Sequence, residues 1–295
     1  MKVWMDGRVV NRADAAIPVN DHGLLYGDGV FEGIRAQGGR VVDLSLHLER
    51  LRRSARAIYL PIEDLVSQLP QVVFDTLLAH GEPDAYVRLL ITRGSGRLGL
   101  DTCSCSGPRV LCLVDRIQLF PAERVAAGLR LATATWRRPD PDSLEPRVKS
   151  LNYLNNVLNR HEAGLRGADD ALVLNRRGTV AEASAANVFI RVGDALFTPP
   201  PTDGALEGLT RRRVLLLATE LGLRAAERTL ARYDLLAADE VFLTGTGAGV
   251  VPVRSLDGVR IGSEPRHSVV PDLQRNMDRY AREHGVPVPG LEAAA

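Results

Sequence analysis

The chain has 295 residues, a length that fits two packed domains or one large one. Hydrophobic residues make up 45% and charged residues 25%, the composition of an ordinary folded protein and not of a disordered chain. A formal net charge of +1 supplies no summed field to draw nucleic acid or an anionic membrane, which leaves small, locally recognised molecules as partners.

From the N-terminus, Met1–Val10 carries Asp6 and Arg8 where a signal peptide would need an unbroken apolar stretch, and a cytoplasmic location is expected. Val9–Val42 holds short apolar pieces broken by glycines, predicting strands and turns around Asp21-His22-Gly23 and Gly27-Asp28-Gly29. Leu44, Leu48, Leu51, Ala55 and Ile58 recur at spacings of four and three, one face of an amphipathic helix that Asp43 or Ser45 can cap and Pro61 stops. A second helix is expected over Leu65–Ala79, ending at Gly81, followed by buried strands at Tyr86–Thr92 and Val110–Val114. This first α+β unit is expected to span 1–118, with Leu119-Phe120-Pro121 connecting it to a second unit over 119–295.

In the second unit the pattern predicts a strand at Leu129–Thr133, a proline-rich loop from Pro139 to Pro146 and a helix at Tyr153–Gly164. Two hairpins follow, Ala171–Ala183 turning at Arg177-Gly178 and Asn187–Thr198 turning at Gly193-Asp194. A helix at Thr210–Leu221 stops at Gly222; strands at Glu240–Thr244 and Val250–Arg254 and a helix near Asp272–Glu283 complete the unit. The tail Ala293–Ala295 is expected to fray. No apolar run approaches the ~20 residues of a membrane span.

The three cysteines, Cys103, Cys105 and Cys112, are too few and too oddly numbered for a disulfide framework, and Cys103-x-Cys105 has neither redox nor zinc spacing, so no metal is expected. Gly94-x-Gly96-x-x-Gly99 matches the dinucleotide fingerprint by spacing, but Leu100–Gly107 is loop material where that fingerprint needs a helix. Lysine is more telling. The 37 basic residues include only Lys2 and Lys149. Arginine can replace lysine as a surface charge or phosphate ligand but cannot form an imine, so a mid-chain lysine in an arginine-rich chain points to amine chemistry.

Two glycine-bearing segments suit a phosphate. Glu207-Gly208-Leu209-Thr210 precedes a helix whose first N–H groups are free, although Thr210 can equally be a plain N-cap. Thr244-Gly245-Thr246-Gly247-Ala248-Gly249 permits close backbone approach, or forms a tight turn between strands. Arg50, Arg52, Arg53 and Arg56 share one helix, and the pattern does not choose among them. Glu182 falls in a mostly apolar strand, where burial requires a cationic partner: a protonated pyridine nitrogen or a nearby arginine.

Six ordered segments resemble fold-type-IV pyridoxal-phosphate enzymes: Asp21–Glu32, His47-Leu48-Glu49-Arg50-Leu51, Arg147–Asn156, Glu182–Phe189, Gly208-Leu209-Thr210-Arg211 and Thr244-Gly245-Thr246. That group contains branched-chain aminotransferases, D-amino-acid aminotransferases and aminodeoxychorismate lyases. The resemblance implies a small α+β domain and a larger pseudo-barrel domain with pyridoxal 5′-phosphate between them, in a homodimer or higher homo-oligomer. It implies Lys149 as Schiff-base lysine and acid/base, Glu182 under the pyridine nitrogen and Tyr153 on the phenolic oxygen. Arg50, Leu209, Thr210 and Thr246 would hold the phosphate.

Phe31-Glu32-Gly33-Ile34-Arg35 and Tyr86-Val87-Arg88 are similar to branched-chain substrate motifs. Tyr26, Phe31 and Tyr86 would then wall an apolar pocket, and Thr246, Gly247 and Tyr86 would meet the α-carboxylate. Arg88 would take the second carboxylate of 2-oxoglutarate, with Arg97 as a further candidate. The implied reaction is transamination between branched-chain L-amino acids and 2-oxoglutarate. Asp28-Gly29 and Lys149-Ser150-Leu151-Asn152 also occur in the neighbouring branches, whose activities are D-amino-acid transamination and pyruvate elimination.

Overall fold

The computed structural model describes residues 1–116, 119–262 and 268–291. Contacts divide the chain into two compact units, Met1–Ile117 with Val148–Asn152 and Arg279–Ala295, and Gln118–Arg147 with Tyr153–Asp278. This differs from a contiguous division at 118/119 in two places, both fixed by backbone pairing. Phe31 N donates to Lys149 O at 3.0 Å and Leu151 N to Gly29 O at 2.9 Å, so the lysine segment is stitched to the first unit. Val286–Pro287 pairs antiparallel with Arg40–Val41, bringing the end of the chain back to the same unit.

The first unit is built on β1 (Lys2–Met5), β2 (Arg8–Asn11), β3 (Gly29–Gln37), β4 (Arg40–Val41), β5 (Ala85–Thr92) and β6 (Arg109–Asp115). With the late strand they form a seven-stranded sheet ordered Val286–Pro287, β4, β3, β5, β6, β1, β2. Helix α1 (His22–Tyr26) precedes β3, and α2 (Leu44–Ala57), α3 (Glu63–Val66) and α4 (Leu69–His80) lie between β4 and β5. The stripe Leu44, Leu48, Leu51 and Ala55 is buried, together with Ile34, Val87, Leu89 and Ile91 of the sheet. Burying such side chains stabilises by roughly 1.5–3 kcal/mol each. Asp43 does not cap α2 with its side chain; its carboxylate instead accepts from Tyr280 Oη at 2.8 Å. The single helix expected over 65–79 is two, with Pro70 in the first turn of the second, where its missing N–H costs nothing. Gly81, at φ +80°, stops it as expected.

Alternation along β5 sorts its residues by face. Ala85, Val87, Leu89 and Ile91 enter the core, and Tyr86, Arg88 and Leu90 take the other face. In register, Phe31 lies opposite Leu90 and Gly33 opposite Arg88, while Glu32 lies opposite Leu89. Neighbouring residues of β3 therefore serve opposite faces of one sheet.

The second unit contains β7 (Leu129–Thr133), β8 (Asp170–Leu174), β9 (Val180–Ala183), β10 (Asn187–Val192), β11 (Ala195–Thr198), β12 (Arg224–Glu227), β13 (Glu240–Gly245), β14 (Gly249–Leu256) and β15 (Val259–Arg260). The sheet runs β12, β11, β10, β13, β14, β7, β8, β9, with β15 on β14. It curls: Ala183 N, at the end of β9, donates to Ala186 O beside β10 at 2.8 Å, so the path returns toward its third strand. Mixed α+β structure with such a curled sheet is the pseudo-barrel expected. Both hairpins form at the expected turns. Helices α5 (Ala122–Ala127), α6 (Leu154–Leu165), α7 (Leu209–Glu220) and α8 (Arg232–Leu236) belong here, and α9 (Val270–His284) begins here. The short α5, α8 and β12 fall where the sequence pattern predicts no element. Residues 293–295 lie outside the described residues.

Candidate active site

In the first unit, Lys149 is fixed by its backbone, with its N–H donating to Ser54 Oγ of α2 at 3.1 Å. Its Nζ lies 4.4 Å from the centroid of the Phe31 ring, and Arg88 Cζ lies 4.3 Å from the same centroid. Tyr86 completes the cluster, its ring centroid 5.9 Å from Arg88 Cζ. A Cβ on Gly33 would come within 1.9 Å of Tyr86 Oη, so glycine is what lets the phenol cross β3. Lys149, Phe31, Tyr86 and Arg88 are thus brought together. Tyr26 stands apart on α1, edge-on to His22 and accepting from Gly99 N through its hydroxyl at 2.9 Å. Arg97 is exposed on the same loop, whose carbonyl at 97 lies 3.0 Å from His22 Nε2. No helix starts in the glycine run 94–99, in keeping with its rejection as a dinucleotide loop.

The arginines of α2 differ in burial. Arg50 is buried while Arg52, Arg53 and Arg56 are exposed. Arg50 Nε and Nη2 donate to Glu32 Oε1 and Oε2, and His47 Nδ1 lies 2.7 Å from Oε2. Burial by itself would raise the Glu32 pKa, but the charge and hydrogen bonds of Arg50, with those of His47, outweigh it and hold it at about 2.

In the second unit, Glu182 is buried on β9. Its Oε2 accepts from Asn187 Nδ2 at 3.2 Å and from Leu206 N at 3.0 Å, and its Oε1 is 2.7 Å from Arg138 Nη2. The cationic partner required by a carboxylate in this strand is therefore at hand in Arg138. The sequence left that arginine unnamed because it stands far from Glu182 along the chain. Gly208, not Thr210, is the N-cap of α7, and no side chain caps this helix. Leu209 and Thr210, both buried, thus form an uncapped first turn. A Cβ on Gly208 would strike Asn187 Oδ1 at 2.0 Å, which ties this turn closely to the Glu182 cluster. The loop joining β13 and β14 carries the half-buried Thr246 and Gly247, and the fully buried Thr244 beside it has a hydroxyl oxygen without a hydrogen-bond partner. Tyr153 is half-buried at the N-cap of α6, whose Asn156 Nδ2 donates to Ser184 O at 2.6 Å. Among the described residues no cluster of His, Cys, Asp and Glu could hold a metal ion, and no helix is long and apolar enough to cross a membrane.

Comparison with known proteins identifies the family. The amino-transferase class IV family matches residues 29–256. A putative branched-chain-amino-acid aminotransferase of Methanocaldococcus jannaschii is 40% identical over 288 residues, covering 98% of this chain and 99% of its own. The branched-chain aminotransferase of the archaeon Thermoproteus uzoniensis, solved with norvaline, is 34% identical with a TM-score of 0.88, covering 96% of each chain. The branched-chain amino acid aminotransferase of Escherichia coli, also solved, is 31% identical with a TM-score of 0.88 over 94% of this chain and 93% of its own. Over most of its length, and through the segments that carry Lys149 and Glu182, this chain belongs to the class IV aminotransferases.

Proposed function

We propose that the protein transfers the amino group of L-leucine, L-isoleucine or L-valine to 2-oxoglutarate, using pyridoxal 5′-phosphate. The observation that carries the substrate reading is the array of Lys149, Phe31 and Arg88, in which one aromatic ring stands within 4.4 Å of an amine and 4.3 Å of a guanidinium. An apolar wall suits a branched side chain, and a fixed cation suits the second carboxylate of 2-oxoglutarate. Tyr86 extends the apolar wall, whereas Tyr26 stands apart on α1, and Arg97 is a second cation on an exposed loop.

The residues fit the cofactor. An uncapped helix N-terminus at Leu209 and Thr210, a hydroxyl-bearing glycine loop at Thr246 and an arginine aligned by Glu32 are each donors suited to a phosphate. The buried, unpartnered Thr244 hydroxyl marks polar capacity that the protein itself does not use. When bound, pyridoxal phosphate would supply an electron sink for the bond broken at the substrate Cα. In this reading Lys149 would move the Cα proton, acting as base and acid in turn. Glu182 would keep the pyridine nitrogen protonated, and Tyr153 would donate to the phenolic oxygen. Thr246, Gly247 and Tyr86 would receive the α-carboxylate. A homodimer in the cytoplasm belongs to the same reading, and sedimentation of the purified protein checks the assembly.

The deciding assay sets L-leucine, L-isoleucine, L-valine, D-alanine and 4-amino-4-deoxychorismate against 2-oxoglutarate and pyruvate. Turnover of the three branched L-amino acids with 2-oxoglutarate is expected. Preference for D-alanine, or release of pyruvate without an amino acceptor, would move the protein to a neighbouring branch.

A further inference from the structure

Arg138 follows β7 in a segment tied to β8, its own N–H donating to Leu174 O at 2.9 Å. Its guanidinium is almost fully enclosed. Nη2 lies 2.7 Å from Glu182 Oε1, and Nε donates to Gly204 O at 3.1 Å. The side chains of the pair are 7% and 5% exposed. The chain opposite has no side chain of its own: Gly204 adopts φ +99°, and a Cβ there would lie 3.1 Å from Arg138 Cγ. A slot is thus left for this arginine, and the slot delivers it to one oxygen of Glu182.

The other oxygen is served differently. Two neutral donors reach Glu182 Oε2, the Asn187 amide and the Leu206 N–H. Neutral donors orient a buried carboxylate, but burial still favours its protonated form, and a cation in contact opposes that preference. The division of labour is between aim, from Asn187 and Leu206, and charge, from Arg138.

We propose that Arg138 is a positioning residue whose charge keeps Glu182 a carboxylate, so that the proton shared with the cofactor's pyridine nitrogen resides on the nitrogen. This rests on the assignment of Glu182 to that nitrogen. No bond to carbon is made or broken: the proton lies on nitrogen with Arg138 present and moves toward the Glu182 carboxyl when the cation is lost. The electron-withdrawing power of the ring is then set in part by a residue that does not touch it.

The test uses holoenzyme loaded with pyridoxal phosphate labelled with ¹⁵N in the ring, whose nitrogen chemical shift reports protonation directly. The wild type is expected to show a protonated nitrogen. Glu182→Gln is expected to show the neutral value; if it does not, the assignment of Glu182 itself fails. Arg138→Met, and Arg138→Gln as a variant that keeps neutral hydrogen-bonding capacity, are expected to move the shift toward the neutral value. Arg138→Lys is expected to restore it, with kcat following the shift and the KM for the amino donor staying within about twofold. A protonated nitrogen in Arg138→Gln alongside a neutral one in Glu182→Gln overturns the inference and leaves Arg138 as a structural ion pair.

Discussion

Arg50 meets Glu32 through two parallel hydrogen bonds, Nε to Oε1 at 2.8 Å and Nη2 to Oε2 at 2.7 Å, with the carboxylate fully buried. Two-point pairing fixes the plane of the guanidinium, and His47 holds the same carboxylate from the side. Glu32→Gln leaves a buried cation without its counter-charge and is expected to cost about 3–5 kcal/mol of unfolding free energy. A loss below about 1 kcal/mol in urea denaturation would show that Arg50 finds compensation elsewhere.

The same pair gives a pH signature. The Glu32 pKa falls from 4.5 to about 2 on folding, so its contribution to stability is complete above the unfolded value and is lost as the pH drops toward about 2. Unfolding free energy measured from about pH 5 downward is expected to fall through this window, and Glu32→Gln is expected to lack that part of the slope. Identical slopes for the two proteins would assign the acid transition to other carboxylates.

Lys149→Ala is expected to abolish turnover and the visible absorbance of the bound cofactor, while phosphate contacts retain some of it noncovalently. Mass spectrometry after borohydride reduction checks this. A reduced cofactor adduct surviving in the variant would place the covalent link on another amine, and Lys2 is the sole other lysine.

Arg88→Met is expected to lower kcat/KM for 2-oxoglutarate roughly ten- to a hundredfold more than for 2-oxoisocaproate, because only the former offers the second carboxylate to a charge-assisted hydrogen bond. Equal losses on both acceptors would reduce Arg88 to packing against Phe31 and Tyr86.

The cysteines differ enough to be read chemically. Cys112 is buried, and burial pushes its thiol up to about 12, whereas Cys103 is exposed. Native protein at about pH 8 is expected to label at Cys103 and to leave Cys112 untouched until it unfolds. Labelling of Cys112 at the native rate would reveal opening of the first sheet.

What the sequence made legible was whatever rests on short-range periodicity or on a rare residue. The α2 stripe, both hairpin turns and the strand Leu129–Thr133 follow from local pattern, and Lys149 stands out because lysine is almost absent. The alternation of β5 places Tyr86 and Arg88 on one face. Arg138 was illegible because its meaning lies in Glu182, a partner set by folding and not by spacing. Likewise nothing local distinguishes Arg50 from Arg52 and Arg53; only the placement of Glu32 in β3 does. Membership of Val148–Asn152 in the first unit was hidden for the same reason, since its bonds to Gly29 and Phe31 are backbone bonds indifferent to side-chain identity.

The return of Val286–Pro287 to β4 bears on how the protein is made. Arg40 Nε donates to Gly285 O across a sequence separation of 245 residues, and Val288 and Leu291 belong to the first core. At about 5–20 residues per second, the ribosome supplies that segment on the order of tens of seconds after Arg40. Until then the edge of β4 has no strand beside it, an exposed row of backbone donors and acceptors of the kind that recruits wrong partners. The first unit is thus closed by a segment made 245 residues after Arg40, and the β4 edge stays open to misassembly throughout that interval.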